Sequence, residues 1–302
     1  MKIIVTGGTG LVGAALVSHL VEKGHEIHVL TRSVLNTPPS SNVIYHEWDP
    51  KNSKAHHNPL EGMDAVVHLA GASISQRWTK KAKKEILESR VLGTRWLIQA
   101  MHSASNPPRV FIASSAMGIY RPSFLPVKET DPHYDGFLSR VCEQWEAASD
   151  DLLNSPVRRV ILRFGIVLDR KGGMLGKLDR FMKGVAGFVG SGKQFVSWIH
   201  RDDLSAMIMH CIENEKISGV YNASAPGPVR FREFVQVLSK KRGMWMVPVG
   251  IPSFLLQLIL GEMSSSLLDS HRMDVGKIES TGFRFKFPGI QKALSDLYSG
   301  TK

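Results

Sequence analysis

Apolar residues in this chain fall into short continuous runs, separated by longer stretches with helical spacing. Lys2 to Val5 is one apolar run, and Leu11, Leu16, Leu20 and Val21 then recur at helical intervals up to Glu22. Gly24 stands where a C-cap glycine ends a helix, and His25 to Leu30 reads as a second strand. The alternation continues with a strand at Asp64 to Leu69 and a helix at Lys81 to Met101. A strand at Arg109 to Ala113, a helix at Phe137 to Leu153 and a strand at Arg159 to Leu162 follow. Strands that are apolar throughout need cover on both faces. Helices between them supply it, which predicts an α/β parallel sheet.

The pattern changes after Val167. Gly172, Gly173, Gly176, Gly184, Gly187, Gly190 and Gly192 punctuate a loop-rich stretch. Asp202 to Glu213 then reads as a helix and Val220 to Ala223 as a strand. From Pro226 onward helices dominate, with Phe231 to Lys241 and Ser253 to Leu260 the clearest.

The first turn of this pattern carries the chemistry. Thr6-Gly7-Gly8-Thr9-Gly10-Leu11-Val12-Gly13 links a strand to an amphipathic helix. Gly7 permits the tight turn, Gly10 lets backbone approach a pyrophosphate, and Gly13 lets helix and strand pack closely. The amides of Thr9 to Gly13 and the helix dipole favour a phosphate there. At the end of the second strand an acidic residue would select NAD. The sequence reads Thr31-Arg32-Ser33 instead, and a guanidinium suits the extra ribose phosphate of NADP.

NADP(H) is therefore the expected cofactor. The expected fold is a Rossmann-type doubly wound parallel sheet with a smaller, mostly helical C-terminal substrate lobe. Residues 1–167 form the cofactor domain in this reading, with 200–223 returning to it. Residues 168–199 and 224–302 form the lobe, which shares the ligand cleft.

Composition narrows the class. With 302 residues, 43% apolar and 22% charged, the chain can bury a large core, which excludes a disordered or fibrous protein. Cys142 and Cys211 are far apart and form no CxxC, which speaks against a disulfide scaffold or zinc site. The N-terminal apolar stretch is too short for a signal-peptide core, so a cytoplasmic location is expected. Ile251 to Leu260 is too short to span a bilayer, so no membrane is expected either. The cluster His46, Asp49, His56, His57 matches no metal-site spacing, and no metal is expected.

Lys+Arg total 38 against 27 Asp+Glu, a net charge of +11. The basic residues are dispersed apart from Lys80-Lys81-Ala82-Lys83-Lys84, whose one aromatic neighbour is Trp78. Without a series of stacking platforms, nucleic acid is not an expected partner. Lys177, Arg180, Lys183 and Lys193 lie near the glycine-rich stretch. Their summed field suits a small anionic substrate.

These residues together resemble the extended short-chain dehydrogenase/reductase superfamily, and within it the atypical nucleoside-diphosphate-sugar epimerase-like family. The likeness runs over essentially the whole chain. It rests on the Gly7-to-Gly13 turn, His68-Leu69-Ala70-Gly71, Val91-Leu92-Gly93-Thr94 and Trp198-Ile199-His200-Arg201-Asp202-Asp203-Leu204. Gly190-Ser191-Gly192-Lys193-Gln194-Phe195 and the stretch from Phe231 to Leu297 resemble the atypical group in particular. The resemblance implies that Asp49 lies near the adenine and that Leu69, Ala70 and Gly71 line the cofactor. It also implies dimerisation through the helices Lys81 to Met101 and Phe137 to Leu153, so a homodimer is a candidate state.

The superfamily's reaction uses a Tyr-x-x-x-Lys pair and a polarising hydroxyl. Aligning Glu146 with the family glutamate places Leu138 at the tyrosine position and Cys142 at the lysine position. Candidates for the missing groups are Ser115, Tyr120 and His200. Ser115 is the candidate polarising hydroxyl, although spacing alone aligns Ala116. Ser114 sits at the same strand end, and Glu85 with Arg90 is a candidate pair on the nicotinamide side. The expected activity is an oxidoreductase or epimerase-like reaction. The alternative is a catalytically inactive NADP-binding sensor or interaction module.

Overall fold

The computed structural model describes residues 1–34, 42–50, 58–182, 184–247, 250 and 252–299. Seven strands form its main sheet: β1 (Lys2–Thr6), β2 (Glu26–Thr31), β3 (Val43–Glu47), β4 (Ala65–His68), β5 (Val110–Ala116), β6 (Arg158–Phe164) and β7 (Gly219–Ala223). Across the sheet they run β3-β2-β1-β4-β5-β6-β7. Every neighbouring pair is parallel. The principal helices are α1 (Leu11–Glu22), α2 (Lys80–His102), α3 (Phe137–Ala147), α4 (Gly173–Phe181), α5 (Arg201–Glu213), α6 (Phe231–Arg242) and α7 (Ser253–Leu260).

Strand pleating divides the core between two faces. Ile3 and Val5 join Leu16 and Leu20 of α1 and Leu204, Met207 and Ile208 of α5. Ile4, Val66 and Phe111 point the other way and pack with Leu97, Ile98 and Met101 of α2. The sheet is thus covered on both sides, as its apolar strands require, and the expected Rossmann-type α/β class is observed. A third core joins Leu175 of α4, Trp198, Phe234 and Leu238 of α6, and Leu294 of the terminal helix Ile290–Leu297.

Two local expectations need correction. The sequence reads residues 36–58 as loop, yet Val43–Glu47 is the edge strand beside β2. Only Val43 of that strand is buried, so no apolar run announces it. The helix expected to reach Leu153 stops at Ala147 and gives way to a 3-10 turn at Asp150–Asn154. Ser149 Oγ donates to the Glu146 carbonyl at 2.8 Å, and Arg159 Nη2 donates to the same oxygen at 2.9 Å. Those side chains compete for the acceptor that a continuing helix would use.

One buried ion pair ties these elements together. Arg163 of β6 grips Glu146 of α3 in two bonds, Nε to Oε1 at 2.9 Å and Nη2 to Oε2 at 2.8 Å. Their side chains are 3% and 10% exposed. Arg163 Nη1 also donates to the Tyr120 hydroxyl at 2.9 Å and to the Glu129 carbonyl at 3.0 Å. Burial pulls the guanidinium pKa down, but the bonds and charge of Glu146 outweigh it and hold the value above its ordinary one. Glu146→Leu should therefore destabilise the protein by about 3–5 kcal/mol, because it strands a buried cation. Urea denaturation checks this. Asp135→Ala, which breaks the exposed pair with Arg140, should leave the midpoint in place.

Candidate functional site

Parallel register brings the sequence-predicted cofactor residues to one edge. Thr6 pairs with Leu30 and with His68, and Thr31 pairs with Glu47. The carboxyl ends of β1 to β4 therefore align. Gly7 to Gly13, Thr31 and Arg32, Asp49, and Leu69 to Gly71 all follow those ends.

The β1–α1 turn is built for close backbone approach. Gly7 has φ +71°, and a Cβ there would meet the Ala70 amide nitrogen at 2.9 Å. A Cβ on Gly13 would lie 2.1 Å from the Gly7 carbonyl oxygen. Gly10 N–H donates to that same oxygen at 2.9 Å. Gly10 also caps α1, which has no side-chain cap and no acidic residue in its first turn. The helix start thus keeps unsatisfied donors and a positive dipole end facing outward. Arg32 is exposed and makes no hydrogen bond or ion pair among the described residues. This cradle fits a dinucleotide diphosphate.

Below the turn, the Thr6 hydroxyl accepts the amides of Leu69 and Ala70, each at 3.2 Å. It lies 2.6 Å from His68 Nδ1 and donates there to a neutral imidazole. Burial, then the nearby Arg90 charge, lowers the His68 pKa to about 3.

A cavity of about 1260 Å³ opens at the same edge. Val12, Leu69, Arg90, Ser114 and Ser115 line its sheet side. Phe137, Leu138 and Cys142 of α3 line another wall, and Met174, Leu178 and Phe181 of α4 a third. Lys177 and Arg180 reach it as well. Lys193 does not line it, and Lys183 lies outside the described residues, as do His56 and His57. His46 stacks on His28 with ring centroids 5.0 Å apart.

Several candidates prove to be structurally committed. The Tyr120 hydroxyl donates to Asn222 Oδ1 at 2.7 Å and accepts from Arg163, in a side chain 1% exposed. It lines the cavity, and burial pushes its pKa to about 12, so the phenol stays protonated at neutral pH. His200 is fully buried. Its Nδ1 accepts the Asp202 amide at 3.1 Å, its Nε2 lies 3.4 Å from Asp296, and its ring lies against Phe287 at 3.9 Å. It is a helix cap and does not line the cavity. Ser115 donates to Glu146 at 2.6 Å, and Ser114 to the His68 carbonyl at 3.0 Å.

The Glu85–Arg90 pair does not form. Glu85 is exposed, while Arg90 Nη1 donates to the carbonyls of Ala72 at 3.0 Å and Ile86 at 2.9 Å. The Arg90 guanidinium lies over the Trp145 ring at 5.0 Å. The Cys142 thiol is buried and pushed up to about 11.

Sequence reasoning missed Asp269 and His271. Both line the cavity from one extended segment, at positions two apart. The intervening Ser270 turns away, and its hydroxyl donates to the Ser123 carbonyl and accepts the Phe195 amide. Burial raises the Asp269 pKa and lowers that of His271 to about 4. The alternation Asp-Ser-His was the available signal, but nothing local places it opposite α3.

Comparison with known proteins agrees with this geometry. Residues 3–135 match the NAD dependent epimerase/dehydratase family, and residues 251–297 match a domain of unknown function, DUF1731. The chain is 33% identical to epimerase family protein YfhF of Bacillus subtilis over 306 residues, 100% of this chain and 99% of that one. It is 36% identical to epimerase family protein SAR0825 of Staphylococcus aureus over 307 residues, 98% of each. Among solved structures, human epimerase family protein SDR39U1 (isoform 2), determined with NADPH, superposes with TM-score 0.89 at 32% identity over 100% of both chains. A nucleoside-diphosphate sugar epimerase from Corynebacterium glutamicum gives 0.78 at 30% identity, covering 99% of this chain and 58% of that one. The chain belongs to this epimerase family, in the atypical extended branch of the short-chain dehydrogenases/reductases.

The buried neutral histidines His68 and His271 make stability acid-sensitive. Between about pH 3 and the ordinary value of 6.5, an unfolded chain takes up a proton that folded His68 refuses. Stability is then fully present above about pH 6.5 and falls by about 1.4 kcal/mol per pH unit as the pH drops through that range, levelling off below about pH 3. Urea midpoints should drop from pH 7 to pH 5, and His68→Gln should flatten the slope.

Proposed function

We propose that this protein binds NADP(H) across the β1–α1 turn and works as an oxidoreductase or epimerase-type enzyme on a small anionic molecule in the adjoining cavity. One observation carries the cofactor choice. An uncapped, glycine-lined helix start stands beside Arg32, which has no competing partner among the described residues and no carboxylate at the end of β2. The NADPH in the human relative supports the same choice.

In this reading the amides from Thr9 to Gly13 hold the diphosphate, with Leu11 and Val12 at the first helical turn. Thr31 and Arg32 meet the adenosine ribose and its phosphate, and Asp49 lies toward the adenine. Leu69, Ala70 and Gly71 flank the cofactor's course toward Arg90 and Ser114. When bound, the nicotinamide donates or accepts a hydride. Arg90, held by two carbonyls and Trp145, presents fixed positive charge to that end of the cavity.

A second reading, a non-catalytic NADP sensor, draws on one specific observation. Leu138 and Cys142 occupy the α3 wall, and the Tyr120, Ser114 and Ser115 hydroxyl protons are all spent within the protein. Incubating the NADPH-loaded protein with carbonyl compounds and nucleotide sugars separates the two. Oxidation at the nicotinamide absorbance band, or a changed sugar configuration after incubation with the NADP-loaded protein, supports an enzyme, and the absence of both with every compound favours the sensor.

Arg32→Glu should weaken NADPH binding at least tenfold and leave NADH binding equal or tighter, since a charged hydrogen bond is worth about 1.5–3 kcal/mol. Nicotinamide fluorescence titration measures both. Equal affinity of the unaltered protein for the two cofactors would remove the argument.

A further inference from the structure

The cavity walls beyond the serines offer little to a sugar or nucleotide. Phe137 and Leu138 come from α3, and Met174, Leu178 and Phe181 from α4. Several polar groups in the wall already bond to nearby backbone. Ser139 donates to the Ile119 carbonyl, Ser266 to that of Met263, Gln76 to that of Ser73 and the Trp78 indole to that of Ile74. Against those groups a polyhydroxylated ligand would lose water and regain few hydrogen bonds; Tyr134, Asp269 and His271 are polar exceptions in the lining.

The mouth is apolar as well. Phe181 is 82% exposed and Val185 52% exposed, and both belong to the lining. Val185 pairs with Trp245, which is 84% exposed. Large apolar side chains are rarely left in water without an occupant to meet.

Charge at the cavity is one-sided. Arg77, Arg90, Lys177 and Arg180 outnumber Asp269, the one carboxyl in the lining among the described residues. Lys177 makes one long contact, 3.5 Å to the Ser75 carbonyl. Arg180 is exposed and in no ion pair among the described residues. Both lie on α4, one turn apart, beside Leu178.

We propose that the cavity takes an amphipathic molecule: an apolar acyl or ring body against Leu138, Met174 and Leu178, with one anionic end at Lys177 and Arg180. The inference rests on the reading of this cavity as the substrate site, and it distinguishes the chain from nucleotide-sugar chemistry.

Trp78 and Trp145 line the cavity and report occupancy through their fluorescence. The test titrates the full chain, with and without NADPH, with decanoate, 1-decanol and UDP-glucose. Decanoate should saturate, 1-decanol should bind at least tenfold more weakly, and UDP-glucose should give no saturable change. The double variant Lys177→Glu/Arg180→Glu should bring decanoate down to the level of 1-decanol while leaving 1-decanol unchanged. Leu178→Asp should weaken both at least tenfold. The charge variant keeps the test decisive if the Leu178 substitution impairs folding.

UDP-glucose binding more tightly than decanoate, no saturable decanoate binding, or a charge reversal that leaves decanoate unaffected would each overturn the proposal. The NADPH titration on the same sample is a separate readout. Decanoate binding without NADPH binding sinks the cofactor assignment alone, and NADPH binding without decanoate binding sinks this inference alone.

Discussion

The buried pair of Arg163 and Glu146 fixes how this sheet edge can be used. A cation and an anion so deeply buried are tolerable only with their hydrogen bonds complete. Completing them recruits Ser115 from β5, Tyr120 from the turn beyond it and the Glu129 carbonyl. Asn222 of β7 joins through the Tyr120 hydroxyl, and its own amide donates to the carbonyls of Val127 and Asp274. The network gives β5, β6, β7 and α3 a fixed relation. It also consumes hydroxyls that would otherwise serve proton transfer. The rigidity of this edge and the scarcity of free hydroxyls there share one cause.

The opposite part of the edge is organised by steric exclusion. Gly7 and Gly13 leave room for backbone to meet backbone, and Thr6 fastens β1 to the chain leaving β4. The result is a helix start with free amides, set into a rigid wall. Its electrostatics need no charged residue in the turn itself. Arg32 adds charge from the next strand and is held there by sheet register, not by a partner of its own.

Between these two regions the cavity wall is mainly apolar. Arg90 exemplifies the compromise. Its aliphatic stem and guanidinium pack beside Gly71 and Trp145, and two carbonyls satisfy one nitrogen. Burial lowers its pKa, yet an arginine stays charged. The site therefore combines a fixed cation, Arg90, with Lys177 and Arg180, which form no ion pair among the described residues, across walls that are mainly apolar.

Much of this was legible before any coordinates. Apolar runs at β1, β2, β4, β5 and β6 announced a parallel sheet because strands covered on both faces cannot hide their composition. The glycine turn was equally plain, since only glycine satisfies those close approaches. The edge strand β3 escaped because it buries a single side chain. Tyr120, His200 and the Glu85–Arg90 pair were misjudged for a common reason. A polar side chain's role depends on which partners reach it, and those partners lie far away in sequence. Asn222 is 102 residues from Tyr120, and Asp296 is 96 from His200. The sequence alone determined the fold class and the location of the glycine turn, because both follow from local periodicity and backbone sterics. Only the tertiary structure decided which polar groups remain available and what lines the cavity, because hydrogen-bond partners and apolar walls are assembled from segments that meet only after folding.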